Sequence, residues 1–304
     1  PEGAPILTLG EGNTPLVWSE TFGKQVAYKL ESLNPTGSFK DRGTAVLVSW
    51  LVAAGITEAV EDSSGNAGSS FAAYASKAGI RGKVFIPEHA SGPKRTQIES
   101  YGSQVVPIPG PRSEAALAVL DQVAKGSVYA SHAYLPHGTA GIATIAYELL
   151  EDLGEPPGTI LVPVGHGSLL LGIWLGFRAL LKSGDIFRQP RLVGIQAAAC
   201  DPLYLAFHAG EDTPLQVQEG RTLAEGVAIA DPFHGESVLE AVRSSLGTFL
   251  HVEENHIQQG QRSLAGLGMY AELTSSLVWD GLRQLPSDMP GPLVCIITGH
   301  GLKS

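Results

Sequence analysis

One lysine in this 304-residue sequence is placed where covalent chemistry is possible: Lys40, in Asn34-Pro35-Thr36-Gly37-Ser38-Phe39-Lys40-Asp41-Arg42-Gly43. The turn residues lead into a helix expected to run to Ala54, with Ser38 a candidate N-cap. Lys40 then falls in the first helical turn, where the positive end of the helix dipole disfavours a cation. An amine there is suited to being partly neutral, as attack on a carbonyl requires. Taken alone, a lysine in a charged Lys-Asp-Arg run reads more readily as a surface residue.

Three other loops carry groups that could hold a ligand. Asp62-Ser63-Ser64-Gly65-Asn66-Ala67-Gly68 gathers hydroxyls, an amide and free N–H groups at a helix start, a nest suited to a carboxylate. By itself it reads more readily as an N-capping turn. Val162-Pro163-Val164-Gly165-His166-Gly167-Ser168-Leu169-Leu170 runs from an apolar strand through glycines into an amphipathic helix, an arrangement that cradles anions. A plain strand–helix turn competes with that reading. A dinucleotide site fits poorly, because Leu170 stands where the third glycine belongs and the strand at 192–195 is followed by Gln196 and Ala197 rather than an acid. In Ile296-Ile297-Thr298-Gly299-His300-Gly301 a strand leaves into a Gly-rich turn, and Thr298 can make one hydrogen bond there.

The elements that must position these loops alternate. Short β-rich runs at 83–86, 104–108, 160–164, 192–195 and 293–297 are separated by Ala/Leu-rich segments of helical length at 44–54, 69–78, 114–124, 139–153 and 169–181. That rhythm predicts an α/β fold with mostly parallel, twisted sheets flanked by helices on both faces. Ligands of such sheets sit at the carboxyl ends of the strands, and two sets of such loops imply two sheets with the ligand in the cleft between them. The formal net charge of -10 argues against nucleic acid and anionic membranes as partners. The apolar stretch at 159–181 is broken by Pro163, His166, Arg178 and glycines, so it does not read as a membrane span. Cys200 and Cys295 form neither a disulfide framework nor a zinc site, so no metal is expected. No charged-then-apolar leader opens the sequence as given, and a cytoplasmic location is expected.

Together the loops resemble the fold-type II pyridoxal-phosphate enzymes, the tryptophan synthase beta-like family, and among them the threonine synthases most. The matching stretches are Glu11-Gly12-Asn13-Thr14-Pro15-Leu16, the decapeptide from Asn34 to Gly43, Ser63 to Gly68, Gly165 to Leu169, and Thr298-Gly299-His300-Gly301-Leu302-Lys303, in the family's order. The resemblance implies pyridoxal 5'-phosphate as cofactor, with Lys40 as the catalytic residue that joins it in a Schiff base. Phe39 would lie beside the ring, and Asn66 would meet its phenolic oxygen. Gly165, His166, Gly167, Ser168 and Leu169 would hold the cofactor phosphate, and Thr298 would meet the pyridine nitrogen. Ser63, Ser64, Gly65 and Ala67 would bind the carboxylate of a small-molecule amino-acid substrate. A hydroxyl partner makes the ring a weaker electron sink than a carboxylate partner would, which favours a lyase over an aminotransferase.

The resemblance further implies loss of phosphate from O-phosphohomoserine with addition of water to give L-threonine. An ammonia-lyase acting on serine, threonine or diaminopropionate remains open. So does a non-catalytic protein that senses the cofactor or an amino acid. The segment Ser131-His132-Ala133-Tyr134-Leu135-Pro136-His137-Gly138-Thr139 bears on the choice, since many threonine synthases carry an arginine there and this chain has none. His132, His137 and His166 are the remaining candidates for a substrate phosphate. A discontinuous large cofactor-binding domain (1–43 and 139–304), a small mobile carboxylate-binding domain (44–138) and a homodimer complete the expectation.

Overall fold

A computed structural model describes residues 6–218 and 220–303. The chain opens with an antiparallel hairpin of β1 (Leu16–Thr21) and β2 (Lys24–Lys29). Next come α1 (Lys40–Ala53), β3 (Glu58–Glu61), α2 (Asn66–Ala78), β4 (Arg81–Pro87), α3 (Pro93–Ser100), β5 (Gln104–Ile108), α4 (Arg112–Ala124) and β6 (Val128–Tyr129). Two short helices follow, α5 (His137–Ile142) and α6 (Thr144–Leu153). The rest runs β7 (Thr159–Pro163), α7 (Ser168–Ser183), β8 (Arg191–Ala197), α8 (Pro202–Ala209), α9 (Gly235–Ser244), β9 (Thr248–Val252), α10 (Glu254–Gly266), α11 (Leu273–Gln284) and β10 (Leu293–Ile296). No helix among the described residues is long and apolar enough to cross a membrane.

Contacts divide the chain into two compact units. The first holds residues 6–11, 34–141 and 303, and the second holds 12–33 and 142–302. The divisions fall at 11/12, 33/34, 141/142 and 302/303.

The first unit is a parallel sheet in the order β5-β4-β3-β6. Side chains alternate across it, as the strand period requires. Ala59, Val84 and Ile86 face α1 and α2, whereas Val60 and Phe85 face Val119 of α4. The second unit is a six-stranded sheet, β1-β2-β10-β7-β8-β9, parallel except for the hairpin. Leu161, Val193, Ile195 and Cys295 pack on one face against α10 and α11. On the other face α7 contacts β7 and β8, flanked by α6 and α9. The α/β architecture, with helices covering both sheets, is therefore the one the alternation predicts.

Two local expectations are corrected. The segment 139–153 is not one helix; it breaks at Ala143 into α5 and α6. Gly141 lies so close to the Arg42 carbonyl that a Cβ there would overlap it. Ser38 does not cap α1. The helix begins at Lys40 after Phe39, without a side-chain cap, and the Ser38 hydroxyl is buried with no hydrogen-bond partner. Asp41, one residue into α1, anchors the turn instead. Its buried carboxylate accepts from the Thr36 N–H, the Thr36 hydroxyl and the Ser70 hydroxyl of α2, each at 2.6 Å. The Thr36 carbonyl accepts in turn from Lys303 Nζ at 2.7 Å and from Gln97 Nε2 at 3.1 Å.

Asp41→Ala strands three buried donors at once and is expected to cost about 3–5 kcal/mol of unfolding free energy. Urea denaturation of both proteins measures this, and a loss below about 1 kcal/mol would mean that the turn holds its shape without the clamp.

Candidate active site

In the first unit the site is built at a topological switch point. From β3 the chain winds outward through β4 to β5, and β6 returns on the opposite side of β3. The loops leaving β3 and β6 therefore emerge side by side at the carboxyl edge. The β3 loop is the predicted Ser63–Gly68 turn, which runs straight into α2. Ser63 is buried, and its hydroxyl accepts from the Gly65 N–H at 3.2 Å. Gly68 presses on the Ser63 carbonyl so closely that any side chain would overlap it. Ser64, Gly65 and Asn66 are half-buried, and Ala67 is buried in the first turn of α2. First-turn N–H groups have no acceptor within their own helix, so this loop can receive a carboxylate.

Lys40 is the first residue of α1, and its Nζ stands 4.9 Å from the centre of the Phe39 ring. Both side chains are half-buried. The structure thus gathers Phe39, Lys40 and residues 63–67 in one unit.

The second unit has its own switch point, between β7 and β10. These strands are parallel neighbours, with Cys295 opposite Leu161, so the loops after both leave the same edge. After β7 the chain passes Gly165, His166 and Gly167 into the 16-residue α7, where Ser168 and Leu169 are buried in the first turn. Gly167 has φ +95°, a left-handed conformation, and a Cβ there would strike Val238. A Cβ on Gly165 would come within 2.6 Å of the Gly226 carbonyl. The loop must therefore be glycine, and no side chain caps α7. Its first-turn N–H groups, which have no acceptor within their own helix, can cradle a phosphate monoester. The ring of His166 points back, with Nδ1 accepting from the Phe233 N–H at 3.4 Å.

Thr298 follows β10 and is buried. Its hydroxyl donates to Glu272 Oε1 at 3.1 Å and lies 2.7 Å from Ser275 Oγ, which accepts from the Gly299 N–H at 3.0 Å. Taken one by one, the donors suit parts of pyridoxal phosphate: an amine in the first unit, and an anion cradle and a hydroxyl in the second. Glu272 and Ser275, which steady Thr298, were not identified as site residues from sequence.

Another group was missed because it lies in a strand rather than a loop. Glu61 ends β3 and is fully buried, with Oε1 2.7 Å from Nδ1 of His132 in the loop after β6. The next residue, Asp62, accepts from the Tyr129 hydroxyl at 2.8 Å. Burial pushes the Glu61 carboxyl up to about 8, against the pull of Lys40 and Arg112. Burial and the neighbouring Glu61 raise Asp62 as well. Burial, together with the positive charge of Lys40, holds His132 well below the ordinary histidine value. His132 is therefore a poor phosphate ligand. His137 is stacked on Trp50, with ring centres 4.5 Å apart. The sequence signal that could have found Glu61 is an acid pair ending a short strand.

The titration of Glu61 has a consequence for stability. Its folded value of about 8 exceeds the ordinary 4.5, so the folded protein binds more protons between the two. The associated stability is full below the ordinary value and is lost as pH rises through about 8. Well above pH 6.5, the ordinary histidine value, His132 is neutral whether folded or unfolded. Between about pH 7 and 8.5 the native protein should therefore lose melting temperature faster than Glu61→Gln, and parallel slopes in a thermal-shift series would refute this.

Comparison with known proteins follows the same lines. Residues 7–299 match the family described as pyridoxal-phosphate dependent enzyme. A threonine synthase of Synechocystis sp. is 33% identical over 309 residues, covering 98% of this chain and 79% of that protein. Among solved structures, a threonine deaminase of T.th. is 26% identical with a TM-score of 0.78, covering 94% of this chain and 92% of that one. A maize serine racemase, 22% identical, superposes with a TM-score of 0.83 over 95% of this chain and 88% of its own, a likeness of fold.

Proposed function

The chain belongs to the pyridoxal-phosphate dependent enzymes, and on that premise we propose that it is a threonine synthase-like lyase, releasing phosphate from O-phosphohomoserine and adding water to give L-threonine. The observation that carries this reading is the 33% identity to a threonine synthase along 98% of the chain. When bound, the cofactor supplies the electron sink that lets a Cα proton leave.

The chain's own groups do the rest. Lys40 Nζ would hold the cofactor covalently, and its amine would move the proton at Cα of the substrate. Its place on the first turn of α1 disfavours the ammonium form and so suits a base. Phe39 would lie beside the ring, and Asn66 would meet its phenolic oxygen. Gly165, His166, Gly167, Ser168 and Leu169 would hold the cofactor phosphate at the start of α7. Thr298, steadied by Ser275 and Glu272, would meet the ring nitrogen. Ser63, Ser64, Gly65 and Ala67 receive the substrate carboxylate through the first-turn donors of α2. Residues 44–138 form the mobile part that brings this loop to the substrate. A homodimer in the cytoplasm is the assembly and location that accompany this reading.

A second reading is a serine or threonine ammonia-lyase. It is favoured by the absence of arginine from 131–139, where His132 is bound to a buried acid, and by the likeness to a threonine deaminase.

Two measurements test the proposal. The holoenzyme should absorb in the near violet and lose that band on borohydride treatment, and Lys40→Ala should lack it and lose at least about 10³-fold in turnover. An unmodified Lys40 in protein reconstituted with excess cofactor would overturn the cofactor attachment. Incubation with O-phosphohomoserine, serine and threonine should release phosphate from the first; release of ammonia alone would install the second reading.

A further inference from the structure

The loop after β10 is built around an acid to which the proposed function gives no task beyond steadying Thr298. Glu272 stands at the start of α11, where an acid ordinarily caps the N–H groups of the first turn. It makes no such cap. Its N–H donates to the Gly299 carbonyl at 2.9 Å, and its carboxyl group lies so close to Gly299 that a Cβ there would overlap it. Ala271 forms an antiparallel bridge with His300, and the Gly301 N–H donates to the Tyr270 carbonyl at 2.8 Å. This pairing of 270–272 with 299–301 brings the carboxyl group to Thr298, whose hydroxyl donates to Oε1 at 3.1 Å. Glu272, Ser275 and Thr298 are all buried. Burying a carboxyl group costs free energy, and this one forgoes the helix cap that would have stabilised it.

The protons of this group can be counted. Ser275 has one hydroxyl proton, and of its two acceptors Thr298 Oγ1 at 2.7 Å is nearer than the Gly299 carbonyl at 3.4 Å. The Ser275 oxygen accepts in turn from the Gly299 N–H at 3.0 Å. Thr298 therefore accepts from Ser275 and donates its one proton to Glu272. What Thr298 has left to offer is a lone pair. A pyridine nitrogen also presents a lone pair. Nitrogen, hydroxyl and carboxyl oxygen in a row make two hydrogen bonds, and the proton of Thr298 fills only one of them. A second proton is needed. On the reading that Thr298 meets the ring nitrogen, we propose that Glu272 supplies it: the carboxyl group takes up a proton when the cofactor binds and passes it, through Thr298, to the nitrogen as electrons enter the ring. Thr298 gives its hydroxyl proton to the nitrogen and takes the one on Glu272, which becomes a carboxylate. The reverse transfer restores all three when the electrons leave. Glu272 thereby lets a hydroxyl partner serve as an acid, and the electron sink is stronger than a hydroxyl alone would make it.

The test titrates the full chain, freed of cofactor, with pyridoxal 5'-phosphate in buffers of different ionisation enthalpy, so that calorimetry counts the protons taken up. Native protein, Glu272→Gln and Thr298→Val are compared. The first variant keeps a hydrogen-bonding group beside Thr298 but has no proton to give, and the second cuts the path. Formation of the bond to Lys40 contributes equally to all three, so the difference reads Glu272. Native protein should take up about one proton more per cofactor bound than either variant. Exchange of the substrate's Cα proton in D2O should fall by about 10²-fold or more in each variant at full loading. An equal proton count in native protein and variants would overturn the proposal whatever the rates do, since a merely structural role alters rates and not the count. Should one variant fail to fold or to load, the other decides in the same way. The count needs no substrate, so it stands apart from the proposed function. An extra proton together with release of ammonia alone refutes the threonine synthase-like reading and supports the role of Glu272, whereas phosphate release with an equal count refutes only that role.

Discussion

The first unit depends on one buried carboxylate. Asp41 takes two hydrogen bonds from Thr36 and one from Ser70, tying the turn before α1 to α2. Lys40 is the neighbouring residue, so the clamp that closes the turn also sets where the Lys40 side chain leaves the helix. Lys303, at the far end of the sequence, donates to the Thr36 carbonyl and closes the same turn from another side. Desolvation raises the Asp41 carboxyl, and these hydrogen bonds to its charged form oppose that rise only in part.

Each unit applies one topological rule to a different end. In a parallel sheet wound outward from one strand, the loop at the reversal has no neighbour crossing over it, and helix N-termini converge there. In the first unit the reversal lies between β3 and β6, bringing together the Ser63–Gly68 turn and the His132 loop. In the second it lies between β7 and β10, bringing together the glycine cradle and Thr298. The glycines follow from this crowding. Gly68 and Gly165 lie against backbone carbonyls and Gly167 against the Val238 side chain, at separations that admit no Cβ.

Much of this architecture is legible in the amino-acid sequence. The alternation of apolar runs and Ala/Leu-rich segments specifies an α/β fold because strand and helix periods differ and each leaves its own pattern. Strands at 104–108, 160–164 and 293–297 lie within one residue of β5, β7 and β10. The break at Ala143 is not legible there, and neither is the close approach of Gly141 to the Arg42 carbonyl of α1, which only packing brings about. Nor is the role of Asp41, because a hydroxyl at Ser38 is the better local cap and only the packing of α2 gives the carboxylate its third donor.

What the sequence determined by itself is a set of local runs: a lysine on a helix start, an amide and hydroxyl turn, a glycine-rich turn after one strand and a hydroxyl after another. Each is a run of adjacent residues whose local geometry is dictated by turn and helix-end physics. What only the tertiary structure decided is which distant acids stand behind those runs. Glu61 meets His132 across 71 positions, and Glu272 meets Thr298 across 26. A carboxyl group acquires its proton affinity from burial and from neighbours that the fold delivers, and neither is written in the residues beside it.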